Sequence, residues 1–112
     1  MNDSEALNNL GLMVETGFED RLADAEQALD YYKKANKLGN TDAAINIAVY
    51  YVNGVHVERD AALGKQLLKQ AYKNGNEKAA DYMVTFGFIR SRKEMEAEML
   101  NTADEEIVSQ MA

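Results

Sequence analysis

The sequence predicts an all-α fold: an α-solenoid of about three helix-turn-helix repeats with a C-terminal capping helix. Three observations predict it. The 112 residues contain no proline, so nothing forces a break within a helix. The chain matches itself: "DAEQALDYYKKANKLGN" (24–40) falls on "DAALGKQLLKQAYKNGN" (60–76), an offset of 36. Both copies finish in Gly-Asn, a pair that can end one helix and start another.

Each element follows in turn. Helix A of the first unit is expected at about 4–16, where "LNNLGLMVETG" (7–17) runs into Gly17. The same segment recurs as "AINIAVYYVNG" (44–54), at an offset of 37 because the first loop holds one extra residue, and as "ADYMVTFGFIR" (80–90). The first helix B is expected at about 22–38, with Asp24 at its start, where a carboxylate suits free N–H groups and the helix dipole. Lys33, Lys34 and Lys37 sit in its last turns, the favourable end for cations. Gly39 can take the left-handed conformation that ends it, and Asn40 can cap the next helix. The second unit repeats the plan with helices at about 41–53 and 60–74, Asp60 at the start of the latter and Gly75-Asn76 after it. The third helix A is expected at about 77–90. The remainder forms a third helix B, extended or followed by a tail helix. Met95, Met99, Ala103, Ile107 and Met111 recur every four residues in it as one apolar stripe. The expected organisation is a single domain over 1–112, with repeats at about 6–40, 41–76 and 77–100 and a cap or tail at 101–112.

Composition excludes several functions. A formal net charge of −7 argues against a nucleic-acid binder, whose affinity comes largely from Lys and Arg on phosphates. The absence of cysteine removes disulfides, thiolate metal sites and a cysteine nucleophile, and it suits a reducing compartment. The acidic, polar N-terminus lacks the regions of a signal peptide, and no apolar run approaches the roughly 20 residues of a membrane span. Cytoplasmic location is the expectation, and no membrane partner is implied.

Reactive chemistry is equally absent. The lone His56 has no second imidazole or thiolate with which to build a metal site, and it reads as a turn residue. Carboxylates cluster at Glu15–Asp30 and Glu94–Glu106, as expected of solvated helix faces. Ser4, Ser91 and Ser109 have no evident base. No phosphate loop, zinc-protease helix or calcium loop is present, so no enzyme, metal or cofactor is expected. Arg90, Arg92 and Lys93 precede an acidic helix and read as a solvated linker.

The repeated frame resembles that of the Sel-one-like repeats, relatives of the tetratricopeptide repeats. Ala44, Ile47-Ala48, Tyr51, Gly54, Val57, Asp60, Gly64, Leu67-Leu68, Ala71 and Gly75-Asn76 fall on the family's pattern. So do Leu10-Gly11, Gly17, Asp24, Ala28, Tyr31-Tyr32, Ala35 and Gly39-Asn40. The chain departs from it at His56, where the family has a second loop glycine, and at Gly87 and Arg90, where it has Tyr and Gly. The resemblance implies adaptors and scaffolds without chemistry of their own. It also allows an alternative, an immunity or inhibitor protein that neutralises a toxin or enzyme by stoichiometric binding, for which an acidic chain suits a basic target.

Stacked hairpins cover one another and leave one concave helix-A surface. Residues 40–54 are apolar nearly all round, with Asn46 and Asn53 as the one amide strip. Asn46, Tyr50 and Asn53 are therefore expected on the concave face, with Asn9 and Met13 from the first helix A and Tyr82 and Phe86 from the third. Tyr and Met are enriched at protein contacts, and Asn can bond a peptide backbone. The expected partner is another protein or a peptide segment. Exposed leucines at the N-terminal end also allow a homodimer through the solenoid ends.

Overall fold

A computed structural model of the chain describes residues 2–18 and 22–100. The expected cap or tail at 101–112, with Ala103, Ile107 and Met111 of the stripe, lies outside the described residues. Within them are six α-helices: α1 (Asp3–Thr16), α2 (Ala25–Lys37), α3 (Thr41–Asn53), α4 (Ala61–Lys73), α5 (Lys78–Thr85) and α6 (Met95–Met99), with a single 3-10 turn at Arg92–Glu94. They pack in consecutive pairs, α1 on α2, α2 on α3, α3 on α4 and α4 on α5.

The caps explain these boundaries. Side chains of Asn2, Asp24, Asn40 and Asp60 accept hydrogen bonds from the N–H groups of Glu5, Gln27, Ala43 and Leu63 at 2.9–3.0 Å, so each helix starts one residue later. Asp24 sets the start of α2 at Ala25, three residues beyond the expected 22. At the far ends, Gly39 and Gly75 adopt φ of 92° and 99°. Around Gly39, the N–H groups of Gly39 and Asn40 return to the carbonyls of Asn36 and Ala35; around Gly75, those of Gly75 and Asn76 return to Tyr72 and Ala71. This is the two-bond closure that satisfies carbonyls at a helix end. Gly39-Asn40 therefore does two jobs, finishing α2 and opening α3. Gly75-Asn76 closes α4, but α5 begins at Lys78 behind Glu77 with no side-chain cap, and the Asn76 amide donates to Thr41 and Asp42 instead.

The third unit departs from the expected 77–90. Its helix α5 stops at Thr85, because Gly87 takes φ 79° and the N–H groups of Gly87 and Phe88 fold back on Val84 and Met83. It is the same closure arriving early. The chain then turns, Ile89 enters the core, and α6 lays Met95 fully buried and Met99 partly buried against it. Lys65 of α4 pins α6 through Glu98 at 3.1 Å.

Small residues set the helix spacing. A methyl group added at Gly11 would sit 2.5 Å from Cε1 and 2.7 Å from Cδ1 of the Tyr32 ring, and one at Gly64 would sit 2.5 Å from Cγ2 of Val52. Tyr32 is fully buried, stands edge-on to Tyr50 at 6.0 Å between ring centres, and donates through its hydroxyl to Glu15 at 3.0 Å. One side chain of α2 thus touches α1 and α3 together. Burial first, and Glu15 second, push the Tyr32 phenol far above its usual range.

Two predictions follow from this packing. Gly11→Ala should destabilise the protein by about 1–3 kcal/mol in urea unfolding, the usual cost of overpacking. His56 takes φ 59° at the position of a family glycine, so His56→Gly should unfold at higher urea than His56→Ala, by about 1 kcal/mol, the usual cost of a side chain in the left-handed region.

Candidate functional site

Helices α1, α3 and α5 share one face, and an open groove of about 190 Å³ runs between them. Its lining is Asn8 and Leu12 from α1, Asp42, Ile45 and Asn46 from α3, and Lys78 and Tyr82 from α5. Hydrogen bonds between repeats hold its walls. Asn46 donates through Nδ2 to Oδ1 of Asn8 at 3.0 Å. Lys78 Nζ stands 2.8 Å from Oδ1 of Asp42, and the same oxygen accepts from Nδ2 of Asn76 at 2.7 Å. Asn76 also donates to the Thr41 hydroxyl at 3.1 Å and accepts from the N–H of Lys78 at 3.2 Å. Apolar surface is left open beside this polar network: Leu12 is 41 % exposed and Tyr82 36 %.

The expected site residues divide. Asn46 and Tyr82 line the groove. Asn9 is exposed and Met13 is 43 % exposed on α1, outside the lining, and Asn53 is exposed at the end of α3. Phe86 is half-buried, its ring 6.2 Å from Tyr82 on one side and 6.2 Å from Phe88 on the other, so an aromatic run extends away from Tyr82. The expectation of an outward Tyr50 is corrected: it is only 3 % exposed, because its ring packs against Tyr32 in the seam between α2 and α3. Burial, then the nearby Glu15 carboxylate, raise its phenol, although no hydrogen-bond geometry joins them.

The sequence reading missed Asn8, Leu12, Asp42, Ile45 and Lys78. A signal existed for one pair: Asp42 and Lys78 are 36 apart, the repeat offset, with opposite charge. Equivalent positions in adjacent repeats lie side by side, so a charge reversal at one repeat interval marks an inter-repeat ion pair. Asn8 and Asn46 are 38 apart, one beyond the 37-residue interval between the first two A helices, and carried no such mark.

Nothing in the described residues gathers reactive groups. Among them no three His, Asp or Glu side chains form a metal-sized cluster, and no helix is long and apolar enough to cross a membrane. His56 stands in the α3–α4 loop, its Nε2 4.0 Å from the exposed Glu26 carboxylate.

The Asp42–Lys78 pair gives the face a titration signature. The hydrogen bond from Lys78 holds the Asp42 carboxyl below its ordinary value against the opposing effect of burial, with Asn76 assisting. A depressed carboxyl contributes stability above its unfolded pKa, and that contribution is lost as pH falls through the folded value. Both side chains are about half exposed or more, at 48 % and 66 %, so the contribution is under about 1 kcal/mol. Lys78→Met should therefore lower the urea midpoint slightly at pH 7. The difference should shrink as pH falls through the folded pKa of Asp42, where that carboxyl takes up its proton.

The comparisons agree with this geometry. Residues 4–40 and 41–76 each match the Sel1 repeat. No curated protein and no solved structure matches the chain. Sel1 repeats are generally protein-interaction modules and typically non-catalytic. Two consecutive matches cover most of the sequence, and the paired helices with their Gly-Asn joints stand where those matches require: the chain belongs to the Sel1 repeat family.

Proposed function

We propose that the face of α1, α3 and α5 is an interaction surface that holds a segment of a partner protein, and that the chain works as an adaptor or scaffold without chemistry of its own. The groove itself carries this reading: three successive A helices contribute to one open channel, with apolar surface exposed beside fixed amides. Asn46 spends one donor on Asn8, which leaves the Asn46 carbonyl and the Asn8 amide for a peptide group. Of the residues expected from sequence, Asn9, Met13, Asn46, Asn53, Tyr82 and Phe86 remain candidates on or beside this face, and Asn8 and Leu12 join them. A cytoplasmic setting, free of membrane and nucleic acid, belongs to the same reading.

The net charge of −7 favours a second form of it, a stoichiometric inhibitor of a basic enzyme or toxin. Leu10 and Met13, both exposed on α1, favour self-association at that end.

The test is capture from native lysate by the intact protein and by a Leu12→Ser/Asn46→Ala variant with unchanged circular dichroism. The variant should lose the captured species, and capture at equal yield ends the reading. Tight one-to-one inhibition of a captured enzyme would identify the inhibitor form. An adaptor should bind a peptide more weakly, with Kd in the micromolar range, on the order of −8 kcal/mol.

A further inference from the structure

Resting on the groove reading above, we infer that the partner segment seats one uncharged, bulky apolar side chain between Leu12, Ile45 and Tyr82, and that charge plays little part in its selection. Three observations carry this. The volume of about 190 Å³ falls below the roughly 300–1,000 Å³ of small-molecule and cofactor sites, and it suits a single side chain. Leu12 of α1 and Tyr82 of α5 offer exposed carbon surface, and the buried Ile45 of α3 backs the lining between them. Among the described residues the formal charges in the lining are Asp42 and Lys78, which stand 2.8 Å apart and neutralise each other.

That pairing decides the charge complementarity. A lysine entering the groove would compete with Lys78 for Asp42, and a glutamate would compete with Asp42 for Lys78. Either exchange gains little, because the existing pair is half exposed and worth under about 1 kcal/mol. An apolar side chain disturbs neither group and covers exposed carbon. The acidic character of the whole chain therefore acts on encounter rather than on what fits here.

Blocked single residues test this directly: the N-acetyl N-methylamides of leucine, phenylalanine, lysine and glutamate, each added to isotope-labelled full-length protein and followed by amide chemical shifts. Ligands of this size bind on the order of 1 mM or weaker. The leucine or phenylalanine probe should shift the signals of Leu12, Asn46 and Tyr82 saturably, with Kd at least tenfold lower than that of the lysine and glutamate probes. Tyr82→Ser, an exposed position outside the core, should weaken the apolar probe at least threefold without altering the melting curve; an unchanged Kd would place the side chain elsewhere and overturn the inference. Equal shifts from all four probes would overturn the apolar anchor while leaving a peptide-binding groove in place. No shift in the groove from any probe would overturn both.

Discussion

The ring of Tyr32 is the wedge on which the first two repeats depend. It lies flat enough against Gly11 that no side chain fits there, meets Tyr50 edge-on, and ends in a hydrogen bond to Glu15. A lone helix hairpin leaves its apolar face in water, so each needs the next. Tyr32 makes that need specific, because it fixes the spacing of α1 and α3 through one rigid group. Gly64 plays the corresponding part in the second unit, where Val52 fills the space a side chain would take. With the A helices held at that distance, their outward residues form a channel rather than separate ridges.

Much of this fold was legible because repetition turns a weak local signal into a strong one. Asp24 with Asp60, and Gly39-Asn40 with Gly75-Asn76, mark helix starts and stops, and the structure uses Asp24, Asp60 and Asn40 as caps and both Gly-Asn pairs as closures. The third unit was less legible for a physical reason. Gly87 looked like a departure within helix A, but a glycine followed by an apolar residue can also close a helix, and the carbonyls of Met83 and Val84 were free to receive it. Periodicity alone does not separate these outcomes.

The site was half legible. Asn46 was found because an amide strip stood out on an otherwise apolar helix, and Tyr82 because it stands one repeat interval after Asn46. The error at Tyr50 came from the phase of the wheel. A single helix shows which residues share a side, but not which way its neighbours rotate it. Here Tyr32 of α2 packs on Tyr50, and the open direction turns toward Asp42 and Asn46. The same rotation brings Asn8 and Leu12 into the groove in place of Asn9 and Met13. An inter-helix partner such as Asn8 for Asn46 depends on that rotation, so it appears only in three dimensions.

The double duty of Gly39-Asn40 has a bearing on how such a chain can change in length. Where one residue pair both terminates a helix and launches its successor, an inserted residue would pull the closure away from the cap and spoil both. The turn within each hairpin is bound differently: among the described residues a backbone bond from Asp24 to Val14, or from Asp60 to Tyr51, spans it, and the first unit already carries one residue more there than the second. Growth and variation are thereby confined to one edge of the stack, the edge of the intra-hairpin turns, while the seams between repeats keep a fixed stride.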